Sequence, residues 1–167
     1  MPLHPALVHL PLGLAMLMPV VAIVAGWLLW RARIGRAGWS AVVVLQALLL
    51  ASGVVALKSG ERDEDMAERV VASAPLHQHE AFAEQFVIAT GAVLALSLLV
   101  FAPWPPAKTT GAAAAMLGTV LVAGLALRVG HAGGQLVYVH GAAAPHVAAA
   151  GGSPAATTRL TPPHHDD

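Results

Sequence analysis

The sequence predicts an all-α fold, an integral membrane four-helix bundle with both termini on the extracytoplasmic side. Three observations lead to it: four apolar stretches that are almost free of charge, a composition of 57% hydrophobic against 11% charged residues, and basic residues concentrated in alternate connections. No connection between the stretches is long enough to form a separate enzyme domain. We therefore expect one four-span membrane domain over residues 1–141 and a disordered Ala/Gly/Pro-rich tail over residues 142–167.

The four stretches are the predicted spans, because an apolar helix of about 20 residues crosses hydrocarbon roughly 30 Å thick. They cover residues 10–30, 39–57, 82–102 and 110–127, and the single charge within them is Glu84. The residues before the first span include no Lys or Arg, so we expect a retained helix rather than a cleaved secretory signal. Small and weakly polar positions inside spans two and four predict close helix contacts; they are Gln46, Ser52, Gly53, Gly118 and Gly124.

The orientation follows from the connections, since basic loops stay on the cytoplasmic side. The connection after span one carries Arg31, Arg33 and Arg36 without an acid, and the one after span three has Lys108 as its only charge. The longer connection over residues 58–81 is acidic on balance. We therefore expect a multi-pass protein of the bacterial inner membrane, with that acidic connection and both termini facing the periplasm or the exterior.

All nine histidines of the chain fall on this predicted outer side. Six of them enter or leave three different spans near one membrane face: His4, His9, His77, His79, His131 and His140. Ionisable side chains near hydrocarbon are costly without a use, so their clustering indicates a shared site. We expect no role for the histidines that are more typical of caps or of the tail, which are His77, His146, His164 and His165.

A b-type haem is the leading hypothesis for that site. Such a haem takes axial imidazoles from facing helices and needs an apolar slot for its ring and a polar rim for its propionates. His9 and His79 are the candidate axial ligands, and His131 and His140 form a second pair or alternates. Because the chain contains no cysteine, the haem would be bound noncovalently.

The exit of span four supplies the remaining predicted contacts. A helix carrying both His131 and His140 would separate them by about 13 Å, and the glycines between them are expected either to bend the chain or to approach a flat ligand. Gly133 and Gly134 are those glycines. Arg128 and Tyr138 suit the propionates or the rim of the haem.

Two other hypotheses stay open. Imidazole also suits Cu and Zn, so a metal-sensing, delivery or transport protein with a site drawn from His4, His9, His79, His131 and His140 is the first. The second is a structural or assembly subunit whose histidines only tune packing. The sequence has no paired nucleophile, phosphate-binding loop or basic nucleic-acid surface, which disfavours an enzyme or a nucleic-acid partner.

Three segments resemble one known family. They are the opening HPALVHLP over residues 4–11, the pair His79-Glu80, and the closing GHAGGQLVYVHG over residues 130–141. The family is the bacterial four-helix membrane family catalogued as domain of unknown function 2231, and the likeness covers roughly residues 1–141. Some relatives are similar to membrane modules fused to c-type cytochrome domains. The resemblance thus implies a redox setting, with a c-type cytochrome or a quinone-linked complex as partner, and matching positions at His4, His9, His79, His131, His140, Gly133, Gly134 and Tyr138.

Overall fold

Four long helices make up almost all of the computed structural model, which describes residues 7–67 and 71–142. The tail from residue 143, the segment around His4, and the predictions made for both lie outside the described residues. The helices are α1 (His9–Trp30), α2 (Arg36–Ala67), α3 (Ser73–Leu98) and α4 (Pro105–Tyr138), and a short 3-10 turn at Leu99–Phe101 follows α3.

The helices form an antiparallel ring. Each packs on its neighbours in sequence, and α4 closes the ring by packing on α1. All four are long and apolar enough to cross a membrane, which confirms the predicted all-α bundle. At one end of the bundle, here called the histidine end, α1 and α3 begin and α2 and α4 finish. At the other, the basic end, lie Arg31, Arg36 and Lys108.

The helices extend well beyond the predicted spans at the histidine end. α3 begins at Ser73 rather than near residue 82, and α4 continues to Tyr138 rather than stopping near residue 127. The expectation that Gly133 and Gly134 fold the chain back was wrong, because α4 continues as a helix through both. Buried Ala132 and Leu136 hold this last part of α4 against the bundle, and that packing outweighs the helix cost of glycine, about 1 kcal/mol each.

Small residues set the distance between neighbouring helices. A Cβ at Gly118 of α4 would collide with Val93 of α3, and one at Gly53 of α2 would lie 3.1 Å from the ring of Phe86. The prediction of close contact at these two glycines is confirmed. It was wrong for Gly124, which faces outward with nothing within 4 Å of its Cβ position.

Two side-chain hydrogen bonds join helices within the described part of the core. The indole Nε1 of fully buried Trp39 donates to the carbonyl oxygen of Ser97 at 3.0 Å. Deeper in the bundle, Nε2 of Gln46 donates to the carbonyl oxygen of Thr90 at 3.3 Å, while its Oε1 is buried without a hydrogen-bond partner among the described residues. Both bonds tie α2 to α3 and fix how the two helices are aligned.

Aromatic and basic side chains crowd the basic end. Trp27, Trp30 and Trp104 are exposed there, and the guanidinium carbon of Arg31 lies 5.6 Å from the ring centre of Trp27. Exposed tryptophans beside basic residues are typical of a helix end at a membrane interface. The basic end therefore has the composition that is expected of a bundle end at a membrane surface.

Candidate histidine site

The helix order brings the predicted site residues to one end of the bundle. α1 starts at His9, α3 carries His79 in its second turn, and α4 carries His131 in its last turns and ends just before His140. The described members of the predicted cluster therefore share the histidine end, although they come from three helices. His4 precedes the described residues.

His79 makes the most specific contact of this group. Its side chain is half-buried, its Nδ1 atom is buried, and its imidazole lies against the bare backbone of Gly133 on α4. A Cβ added at Gly133 would lie 3.1 Å from Cε1 and 3.6 Å from Nδ1 of His79. Even a Cβ at this position would require the ring to shift by a few tenths of an ångström, so Gly133 acts as the seat of the His79 imidazole.

His9 lies at the same depth as this contact. A Cβ at Gly130 of α4 would touch Leu12 of α1 at 4.0 Å, which aligns these two residues along the bundle axis. Because α1 and α4 are antiparallel, moving three residues back from Leu12 and three forward from Gly130 reaches His9 and Gly133, a shift of about 4.5 Å on each helix. His9 is exposed, and so its imidazole can reorient without disturbing the core.

The other predicted residues lie farther around α4. His131 and Tyr138 are exposed, and Arg128 is exposed on a face that points away from the His79 contact, since five residues along a helix turn the chain by about 140°. His140 follows the end of α4 and lines a shallow cavity of about 330 Å³. His79 is not among the residues that line that cavity.

The cavity between the start of α3 and the end of α4 also includes residues that the sequence analysis missed. Its lining consists of Ala74, Pro75, Gln78, Ala132, Gln135 and His140. The two glutamines stand on facing helices at the edge of the histidine end. Their nearness to His77, His79 and His131 in the sequence was the available signal, but only the antiparallel packing of α3 and α4 shows that they share a cavity.

Among the described residues, the charged groups around the site form few contacts with one another. His77 lies 3.7 Å from the carboxylate of Glu80 through its Nδ1 atom, one turn apart on α3, with most of the imidazole exposed. Within residues 7–67 and 71–142, no three His, Asp or Glu side chains come close enough to share a metal ion. The described residues therefore provide one seated imidazole and a second at its level, rather than a preformed metal cage.

The fold and the site together define a multi-pass membrane protein, a four-helix bundle with histidines gathered at one end. Residues 1–145 match the family described as predicted membrane protein (DUF2231), and the chain belongs to that family. This confirms the resemblance inferred from the three sequence segments. No curated protein and no solved structure matches the chain.

Proposed function

We propose that the protein binds haem b noncovalently at the histidine end and carries electrons at the extracytoplasmic face of the bacterial inner membrane. The observation that carries the proposal is the imidazole of His79 seated on Gly133, at the same depth as His9 on a different helix. Two imidazoles at one level on separate helices are the side chains that would hold a haem between helices.

The residues present fit such a group. His79 supplies one ligand whose ring is already packed between α3 and α4, and exposed His9 supplies a second that is free to turn. Gly133 leaves room for the His79 ring because it has no side chain, whereas a Cβ at Gly134 would meet nothing within 4 Å, so that this second glycine is not needed for the contact. Gln78, which precedes His79 on α3, provides an amide donor for a polar rim. When bound, the haem iron would supply one-electron chemistry, and the protein would position and shield it.

The geometry favours haem over a bare metal ion. Zinc in proteins takes three or four protein ligands, and no group of three is found among the described residues. A haem brings its own equatorial nitrogens and asks the protein for one or two axial ligands. A site with one seated and one exposed imidazole is sufficient for the second case but not for the first.

The proposed orientation rests on charge. The basic end carries Arg31, Arg33, Arg36 and Lys108 with exposed tryptophans, as expected for cytoplasmic connections. The histidine end is then extracytoplasmic, and a c-type cytochrome or a quinone-linked complex is the class of partner that would exchange electrons there.

Visible absorption spectroscopy of the purified, haem-loaded protein tests the proposal. We expect a Soret band, and an alpha band on reduction, in the unsubstituted protein. In His79→Ala, haem retention should fall by at least about tenfold, the effect of losing roughly 1.4 kcal/mol of binding free energy. His9→Ala should change the visible spectrum of the bound haem, because one of the two imidazoles that would hold it is removed. His77→Ala, on the same turn of α3 but facing outward, is the matched control.

The outcomes separate the alternatives. Full haem retention in both His9→Ala and His79→Ala would refute the axial assignment. No chromophore but stoichiometric Cu or Zn by metal analysis would support the metal-delivery alternative, and neither haem nor metal would leave a structural or assembly role.

A further inference from the structure

The two cations of α4 are separated by the thickness of the hydrocarbon core of a bilayer. Lys108 and Arg128 are the only Lys, Arg, Asp or Glu residues in α4. They are 20 residues apart, which corresponds to about 30 Å of helix, the thickness of the hydrocarbon core of a bilayer. If Lys108 marks the border at the basic end, the guanidinium of Arg128 marks the border at the histidine end.

Arg128 also belongs to a continuous outward face of α4, here called the outer strip. Positions 4, 7, 11 and 18 residues apart lie on one side of a helix, and the outer strip consists of the exposed residues Leu117, Leu121, Gly124, Arg128 and Gln135. Its deeper half is apolar, and Gly124 leaves a shallow recess in it. The apolar half lies below the guanidinium, and Gln135 lies above it.

The charge of Arg128 has no protein counterpart in the described part of the chain. The residue forms no ion pair there, and α4 contains no Asp or Glu. The contacts of Gly118 with Val93 and of Gly133 with His79 align Arg128 with residues 83–84 of α3. Glu84 therefore lies at the same depth, yet it does not pair with Arg128.

We propose that the outer strip binds an anionic phospholipid of the leaflet at the histidine end. The phosphate group accepts hydrogen bonds from the Arg128 guanidinium and the Gln135 amide, and an acyl chain lies along Leu117, Leu121 and Gly124. An anionic headgroup is selected because the strip offers donors and positive charge but no carboxylate for the amine of a zwitterionic lipid. The site is independent of the proposed haem, since the face of α4 that seats His79 lies about 140° away.

Native mass spectrometry of the detergent-purified full chain tests this proposal with phosphatidylglycerol and phosphatidylcholine as probes. Phosphatidylglycerol should bind the unsubstituted protein, and Arg128→Gln should weaken it by about tenfold, as expected for losing one charge-assisted contact. Lys58→Gln is the control, because Lys58 is an exposed cation near the same end but on α2. Circular dichroism of both variants checks that the helical fold is kept.

Several results would overturn the proposal. Equal binding of phosphatidylglycerol to the unsubstituted protein and to Arg128→Gln would remove the role of the outer strip. Equal binding of the two lipids would remove the selectivity for an anionic headgroup. Displacement of phosphatidylglycerol by millimolar inorganic phosphate would assign the site to a soluble anion instead of a lipid. None of these results depends on haem.

Discussion

The missing side chain of Gly133 decides where the His79 imidazole can lie. The ring lies tightly beside the position that a Cβ would take, with Cε1 3.1 Å from that position. We therefore expect Gly133→Val to displace the ring and to lower haem retention by about tenfold or more, equivalent to at least roughly 1.4 kcal/mol. Soret absorbance per mole of purified protein measures the effect.

Gly134→Val is the matched control for that substitution. Both glycines lie in the same turn of α4, and the helix cost of valine is the same at each, but a Cβ at Gly134 meets nothing within 4 Å. Haem retention should be close to that of the unsubstituted protein. Equal losses in the two variants would mean that the fold of α4, and not the seat of His79, had been disturbed.

Gln46 illustrates what sequence can and cannot say about one residue. Its place in an apolar span predicted a helix contact, and the bond from its Nε2 to the Thr90 carbonyl is that contact. The same position gave no sign that its Oε1 would be buried without a partner among the described residues. Whether each polar atom finds a hydrogen-bond partner depends on which residues of the facing helix lie beside it. The sequence pattern alone does not give that information.

At the scale of single helices, the end of α1 contains a strained residue. The amide of Ala32 donates to Leu29 at 3.2 Å and that of Arg33 donates to Leu28 at 2.9 Å, the pairing of a Schellman motif. Ala32 is the residue in the left-handed region, with φ of 53°, where glycine is normally found. We expect Ala32→Gly to raise the free energy of unfolding by about 1 kcal/mol, because the left-handed conformation costs glycine nothing.

Thermal unfolding in detergent, followed by circular dichroism, measures the effect of Ala32→Gly. The same substitution at exposed Ala41, inside α2, is the control and should lower stability by about 1 kcal/mol. A loss of stability in both variants would show that the turn after α1 is not strained by alanine.

Helix length was the element property that the sequence predicted least well. Hydropathy detects the part of a helix that lipid covers. It therefore located all four helices but not their full lengths. The polar turns beyond hydrocarbon, such as the first turns of α3 that carry His77 and His79, continue the same hydrogen-bond ladder without an apolar signal. For this reason, the sequence-based prediction assigned these turns to the connections between the helices.

Across the whole molecule, two glycines allow α4 to approach its neighbours, and their tolerance should differ. At Gly118 a Cβ would collide with buried Val93 of α3, which is branched at Cβ and has little rotamer freedom. At Gly26 of α1 it would collide with the thioether end of Met116, which is flexible. We expect Gly118→Ala to cost about 1–3 kcal/mol by overpacking, and Gly26→Ala to be within about 1 kcal/mol of the unsubstituted protein, because helix propensity offsets a small shift.

Unfolding of both variants in the same detergent gives the comparison. Gly124→Ala completes the series, since its Cβ would point into open space and should not destabilise the bundle. If Gly26→Ala proves as damaging as Gly118→Ala, the packing of α1 on α4 is less adaptable than the methionine contact implies.

The sequence by itself determined the class of protein, the number of spans, the family and the gathering of the histidines at one end, because the length of apolar runs and the alternation of antiparallel helices leave little choice. Only the tertiary structure decided that His79 rests on Gly133, that His9 shares its depth, that His140 lines a separate cavity and that Arg128 faces outward. The physical reason is that depth along a helix follows from counting residues, whereas the direction in which each side chain points toward its neighbours depends on how four helices are rotated and aligned when their small residues pack.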